Sequence, residues 1–152
     1  MSQQSRNRAE QRIVTDVFSI MWALAAEIRR VGSAVQLTVS QFSSLRLLEQ
    51  GDMAVGELAR TLRVAMPTVT QSTDSLVSKN LVERYSDERD RRHVRLRITE
   101  AGRTLLHECD RTVEAYLATA LADWPVERRE EFARQLEAVK DKVLQAELAR
   151  QP

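Results

Sequence analysis

The residues best suited to chemistry lie between positions 66 and 79, where hydroxyl and amide side chains recur at helical spacing. At roughly 100° per residue, the apolar side of this segment consists of Met66, Val69, Thr73, Leu76 and Val77. The opposite side consists of Thr68, Gln71, Asp74, Ser75 and Ser78, with Ser72 and Lys79 at its margin. Short hydroxyls and amides can approach base edges and phosphates closely, whereas a merely solvated helix favours long charged residues. The pattern favours a helix that enters a DNA groove; the alternative is a Ser/Thr-rich surface helix with no partner.

A charged segment follows this helix. From Lys79 to Arg97 there are seven basic and four acidic residues, a local net charge of +3, whereas the whole chain carries +1. Residues 81–85 and 93–98 alternate like strands, and the seven residues between them are too charged to be buried. Arginines on a projecting hairpin suit the DNA minor groove, whose negative potential attracts guanidinium, and Asp90 could orient one of them. The alternative is a solvated run of charges.

The rest of the chain must hold these two segments in place. Apolar residues recur at spacings of three and four from about Arg8 to Val31, which predicts a long helix. Thr38, with Gln41 three residues later, forms a capping-box pattern that begins the next helix, and Gly51-Asp52 ends it. Four more helices are predicted over residues 55–62, 67–80, 99–123 and 125–149. The expected fold is therefore mainly α with a small β-hairpin wing, in the order α1-α2-α3-α4-β-wing-β-α5-α6. This is a winged helix-turn-helix with a helical region for dimerisation.

Composition limits the classes of protein that this chain can belong to. Its 152 residues are enough for one compact domain, and 43% of them are apolar. The single cysteine excludes an internal disulfide and a multi-cysteine zinc site, and His93 and His107 lack partners at metal-ligand spacing. No segment is long and apolar enough for a membrane span, and the N-terminus is polar. We expect a soluble cytoplasmic protein without a cofactor, and no motif indicates an enzyme.

Six motifs, in this order and spacing, resemble the MarR family of winged helix-turn-helix transcriptional regulators. They are Leu37-Thr38-x-x-Gln41-Phe42-x-x-Leu45, Val55-x-Glu57-Leu58-Ala59, Thr68-Val69-Thr70, Leu81-Val82-Glu83-Arg84, Asp90-Arg91-Arg92 and Ile98-Thr99-Glu100-Ala101-Gly102. The resemblance covers nearly the whole chain. Its most specific part is Asp-Arg-Arg followed by Thr-Glu-x-Gly.

The resemblance implies a homodimer, most often a ligand-responsive repressor, and a two-fold dimer suits an inverted-repeat operator on double-stranded DNA. In a single domain spanning 1–152, residues 8–36 and 99–150 would form the dimerisation region and residues 37–98 the DNA-binding region. A small-molecule pocket would lie between the dimerisation and DNA-binding parts. By the same resemblance Arg92 would enter the minor groove, with Asp90 supporting it.

Three departures from the family pattern are visible. Gln71 occupies a position that is often basic in the family, which predicts a different base preference. Asn80 stands where the family usually has Gly at a helix end, and Asn tolerates the left-handed geometry best after Gly. The N-terminal helix contains no cysteine, so the resemblance to peroxide-sensing members fails there.

These patterns assign candidate residues to each role. We expect DNA contacts from ten side chains: Thr68, Thr70, Gln71, Ser72, Ser75, Lys79, Arg84, Asp90, Arg91 and Arg92. Phe18, Trp22 and Phe42 could line a pocket for a flat aromatic or phenolic effector, although an ordinary place in the dimer core is the interpretation we favour. Cys109 is expected to be a buried, unreactive thiol. The competing function is a dimeric helical module that binds another protein and has lost DNA binding, which would have no reason to keep a basic wing.

Overall fold

The computed structural model describes residues 3–86 and 94–149 of the chain. A short 3₁₀ turn, Gly32–Val35, follows the first helix. The elements are α1 Gln3–Val31, α2 Val39–Gln50, β1 Met53–Ala54, α3 Val55–Leu62, α4 Met66–Ser78, β2 Val82–Ser86, β3 Val94–Ile98, α5 Glu100–Ala120 and α6 Val126–Leu148. The predicted mainly α fold with a small wing is confirmed, with one strand, β1, in addition.

The sheet is antiparallel and has the order β1-β3-β2. In its register Met53 lies opposite Leu96 on β3, while Val82 and Ser86 of β2 lie opposite Ile98 and Val94. The third strand adds an edge to a hairpin that would be only marginally stable by itself.

The beginning of α2 is fixed by the capping box that the sequence predicts. The backbone N–H of Gln41 donates to Thr38 Oγ1 at 3.2 Å, and the backbone N–H of Thr38 donates to Gln41 Oε1 at 3.1 Å. Helix α3 begins with a related contact, in which Ala54 N–H donates to Glu57 Oε2 at 2.7 Å. Both helices therefore begin with hydrogen bonds between residues that are three apart in the sequence.

The end of α4 and the beginning of α5 are packed closely together. Asn80 has φ of 57°, the left-handed conformation expected at this helix end, and Leu81 N–H donates to Leu76 O at 3.0 Å. On α5, a Cβ at Gly102 would lie 2.2 Å from the backbone oxygen of Leu81. The approach is possible only because Gly102 has no side chain.

The chain divides into two units, Met1–Glu114 and Ala115–Pro152. The first has a core of fully buried apolar side chains from α2, α3, α4, the sheet and α5: Leu45, Leu48, Leu58, Leu76, Leu96, Ile98, Leu106 and Cys109. Ile28 and Val31, at the end of α1, pack against this core, whereas Ile13, earlier on the same predicted stripe, is exposed.

In the second unit, the turn between α5 and α6 has its own contacts. Trp124 packs edge-to-face on Phe132 with ring centroids 5.6 Å apart. Arg129 donates to the backbone oxygens of Ala122 and Trp124 at 3.1 and 3.0 Å. These bonds satisfy carbonyl groups beyond the end of α5, which ends at Ala120 and so is shorter than predicted. No helix among the described residues is long and apolar enough to cross a bilayer.

Candidate nucleic-acid interface

Helix α4 presents the face that the sequence predicts, with one correction. Val69, Thr73 and Leu76 are buried, while Thr68 and Gln71 are exposed. Met66 was expected on the apolar side, but 51% of it is exposed. Since it is the first residue of the helix, it lies beside Gly56 of α3 instead of reaching the core.

The hydroxyl groups of α4 differ in their accessibility. Thr70 Oγ1 donates to the backbone oxygen of Met66 at 2.9 Å and is half-buried. Ser72 Oγ is shielded from solvent and has no hydrogen-bond partner among the described residues. A DNA contact from Ser72 would require this hydroxyl to rotate outward, and the assignment stays a prediction.

Gln41 of α2 forms hydrogen bonds with residues at the C-terminal end of α4. Its amide nitrogen donates to Ser75 Oγ at 3.0 Å, and its amide oxygen accepts from Lys79 Nζ at 3.3 Å. Lys79 Nζ also donates to the backbone oxygen of Gln36 at 3.0 Å. Gln41 is 6% exposed, so the residue that caps α2 also connects α2 to the C-terminal half of α4. Ser75 and Lys79, both predicted DNA contacts, therefore have internal partners as well.

Arg84 connects the wing to α4. Its guanidinium forms an ion pair with Asp74, the one formally charged side chain between Met66 and Ser78, and lies 3.5 Å from Thr73 Oγ1. The negative charge on the exposed face of α4 is thereby neutralised from β2. The predicted contact of Arg84 with DNA would have to form alongside this ion pair.

The arginines of β3 are paired as well. Arg97 donates to Asp52 Oδ2 through Nε at 2.9 Å and lies over the ring of Tyr85, 4.2 Å from its centroid. Arg95 donates to the backbone oxygen of Asp52 and lies 3.8 Å from Glu57 Oε2. The local charge of +3 therefore overstates what the strands of the wing can offer to DNA, because carboxylates from outside that segment neutralise them.

Asp52 has a role in this region that the sequence does not reveal, because Gly51-Asp52 indicates only the end of α2. Partial burial raises the pKa of its carboxyl, but hydrogen bonds from Tyr85 and Arg97 outweigh this and hold the pKa below its usual value. The same hydrogen bond raises the pKa of Tyr85. Asp52 is therefore ionised at neutral pH, and the ion pairs of the wing base are present there.

The tip of the wing lies outside the described residues. The DNA contacts predicted for Asp90, Arg91 and Arg92 fall in residues 87–93, and they remain predictions from sequence.

The predicted ligand residues lie on α1 and α2. Phe18 is 66% and Trp22 75% exposed, and Arg29 lies 5.6 Å from the Trp22 ring centroid. Phe42 is half-buried against the core, with Arg46 5.3 Å from its ring centroid. The assignment of these three residues to an effector pocket or to a dimer core stays a prediction.

Cys109 is fully buried in α5. Burial, with a further effect of Asp110 and Glu108, raises the pKa of its thiol. The thiolate is the reactive form, so the group is protonated and shielded at neutral pH.

Comparisons with known proteins agree with this architecture. The sequence model of the MarR family matches residues 37–94 of the chain. YsmB, an HTH-type transcriptional regulator of Bacillus subtilis, is 33% identical over 109 residues, which are 68% of this chain and 75% of YsmB.

Solved structures share the fold over nearly the whole chain. A MarR family protein from Bacillus stearothermophilus has a TM-score of 0.79 and 28% identity, covering 95% of this chain and 99% of that one. A variant of S. aureus MepR bound to an oligodeoxyribonucleotide has a TM-score of 0.63 and 19% identity, covering 86% of this chain and 97% of that one, and shows the fold alone. The chain thus belongs to the MarR family, and it is a DNA-binding transcriptional regulator built on a winged helix-turn-helix.

Proposed function

We propose that this chain is a ligand-responsive repressor that binds an inverted-repeat operator as a homodimer, with α4 in the major groove. The observation that carries the proposal is the exposed face of α4, where Thr68 and Gln71 present short polar groups and Asp74 is neutralised by Arg84. Such a face can approach base edges without repelling phosphates. The bound oligodeoxyribonucleotide in the MepR structure supports this use of the fold.

A second copy of the chain is the proposed partner of the terminal helices. Large apolar side chains are exposed along α1, late α5 and α6: Ile13, Val14, Val17, Phe18, Ile20, Met21, Trp22, Tyr116, Leu117, Leu136, Val139, Val143 and Leu144. So many exposed apolar residues are unusual for a monomer and indicate an interface. Residues 8–36 and 99–150 would form this dimerisation region, leaving residues 37–98 to bind DNA.

The dimer is tested by sedimentation of the wild type and of two variants in α6. Val139→Asp places a charge on the apolar stripe and should dissociate the dimer or aggregate it. Asp141→Asn, two residues away at an exposed position, is the matched control and should stay dimeric. A monomeric wild type at micromolar concentration would refute the proposal.

The wing is proposed to reach the minor groove through its tip. Arg92 would insert there, oriented by Asp90, with Arg91 near the phosphates. The strands of the wing are not proposed to bind DNA through Arg95 and Arg97, because both are paired with carboxylates.

Selection of genomic fragments by the purified protein, followed by footprinting, tests the DNA part of the proposal. Two half-sites related by inversion, with centres about 10–10.5 base pairs apart or a multiple of this, are expected from a two-fold dimer. An asymmetric half-site bound as tightly as the full site would contradict the dimeric docking. Absence of any selected sequence would favour the protein-interaction module instead.

A regulator that binds chromosomal DNA meets it in the cytoplasm, which is the location that we propose for this protein.

The effector is proposed to be a small aromatic or phenolic molecule. Quenching of tryptophan fluorescence by simple phenols, compared between the wild type and Trp22→Phe, tests whether Trp22 lines an effector pocket or belongs only to the dimer core. Trp124 supplies the matched control, because Trp124→Phe should leave quenching intact. Equal quenching in the wild type and Trp22→Phe would place any ligand elsewhere.

A further inference from the structure

Asp52, in the loop between α2 and β1, binds side chains from both long strands of the wing. Its Oδ2 accepts a hydrogen bond from the Tyr85 hydroxyl at 2.7 Å and from Arg97 Nε at 2.9 Å, and Arg97 Nη2 lies 2.8 Å away. Its backbone oxygen accepts from Arg95. One residue outside the hairpin therefore connects to both β2 and β3.

The residues around Asp52 complete a network on one face of the sheet. Arg97 stacks on Tyr85 and lies 3.7 Å from Glu83 Oε1. Arg95 reaches Glu57, the residue that also accepts the hydrogen bond at the beginning of α3. The network thus joins the wing to the beginning of α3, at the helix-turn-helix itself.

We propose that Asp52 is a positioning residue that sets the direction in which the β2–β3 hairpin projects, and with it the approach of the wing to the minor groove. This rests on the proposed function, since it needs the wing to meet DNA. Strand β1 holds the hairpin through only two residues, Met53 and Ala54. Arg84 attaches the hairpin to α4 through Asp74, and Asp52 adds an attachment from the α2 side that restrains rotation of the hairpin about its short edge.

Asp52 contributes more to the position of the β2–β3 hairpin than to the free energy of unfolding. Its side chain is 26% exposed and that of Arg97 is 45% exposed, so water screens the ion pair and weakens its effect on unfolding. A hairpin that pivots by a small angle would nevertheless displace its tip from a groove about 6 Å wide. DNA contacts of the wing should therefore respond to Asp52 when the fold does not.

Two footprinting reagents on the selected operator separate the wing from α4. Hydroxyl radical reports on the minor groove, and dimethyl sulfate reports on guanine N7 in the major groove. Asp52→Ala should lose minor-groove protection while it keeps the dimethyl sulfate pattern of α4. Affinity should fall about tenfold, the size expected for loss of one charge-assisted contact.

Three further variants make the result specific to this network. Asp52→Asn retains an oxygen that accepts from Tyr85 and Arg97, and should recover much of the minor-groove protection. Glu49→Ala removes a nearby carboxylate whose partners are Arg46 and His107, and should footprint like the wild type. Tyr85→Phe removes one hydrogen bond to Asp52 and carries the test if Asp52→Ala does not fold.

The outcomes distinguish this inference from the proposed function. A wild type without any footprint overturns the proposed function, and the inference with it. A wild-type footprint that Asp52→Ala leaves unchanged, or weakens equally in both grooves, overturns the inference alone. Thermal unfolding of each variant shows that the compared proteins are folded.

Discussion

On α4 the outward-facing side chains are short and mostly uncharged, whereas the arginines of β2 and β3 are long, charged and paired with carboxylates from other parts of the chain. Gln71 and Thr68 are exposed on α4. On the wing strands, Arg84, Arg95 and Arg97 each lie against a carboxylate. The exposed face of α4 thus suits contact with a partner, whereas the charged side chains of β2 and β3 fix the position of the wing.

The difference shows why a count of charges along the sequence is a poor guide to a binding surface. The segment from Lys79 to Arg97 has a net charge of +3, but Asp52, Glu57 and Asp74 all lie outside it and neutralise its strands. Within the wing, we therefore propose that DNA is contacted by the tip. If this is correct, substitutions on α4 and substitutions on β2 and β3 should affect DNA binding in different ways.

The largest effect is expected at the junction between the two regions. A Cβ at Gly102 would lie 2.2 Å from the backbone oxygen of Leu81 and 2.7 Å from Ile98 Cγ1. Gly102→Ala should therefore lower the free energy of unfolding by about 3 kcal/mol, the upper part of the range for overpacking. Urea denaturation measures this. Gly51→Ala is the matched control, because its Cβ would meet nothing within 4 Å, and equal stability of the two variants would contradict the packing described.

How much of this could be predicted from the sequence depends on the range of the interactions. The capping box of Thr38 and Gln41 lies within one helical turn, and α3 was predicted with the bounds that it has, Val55–Leu62. Strand β1 has two residues and so shows no periodicity. Asp52 meets Tyr85 and Arg97 at separations of 33 and 45 residues, which no local pattern reveals.

Within the candidate site, the sequence predicted the faces of α4 but not which of its polar side chains form hydrogen bonds within the protein. The helical wheel placed Gln71 correctly on the exposed side. It gave no sign that Gln41 would bind Ser75 and Lys79, because those contacts cross between helices. It also placed Met66 inward, since a wheel does not show that the first turn extends beyond the core.

The second prediction concerns α4, the helix proposed to contact base edges. Gln71→Ala should cost roughly 1–3 kcal/mol of binding free energy on the preferred operator, concentrated at one base pair of each half-site. Titration of matched and single-mismatch duplexes measures this. Gln50→Ala, an exposed glutamine at the end of α2, is the control and should bind like the wild type. Equal weakening on every duplex would mean that Gln71 does not read a base.

The third prediction separates the tip of the wing from its base. Arg92→Ala should weaken binding to many sequences and flatten the dependence of log K on log salt by about one unit for each phosphate-neutralising charge lost per monomer. Arg84→Gln should change this slope less, because Asp74 already neutralises Arg84. Binding isotherms at several salt concentrations measure both. Equal slopes for the two variants would show that the ion pair with Asp74 opens on DNA.

The smallest effect is expected from the pH dependence of the wing base. Because the folded state holds the pKa of Asp52 below its usual value, its ion pairs favour folding most above the unfolded pKa of about 3.9. This contribution is lost as the pH falls through the lowered folded pKa. The difference in unfolding free energy between the wild type and Asp52→Asn should therefore be constant from pH 7 to pH 5 and shrink below about pH 4. Urea denaturation across this range measures it, with Glu131→Gln as a control that removes a carboxylate of α6 whose pKa is also lowered. A difference that grows towards low pH would mean that the charge of Asp52 opposes folding and does not anchor the wing.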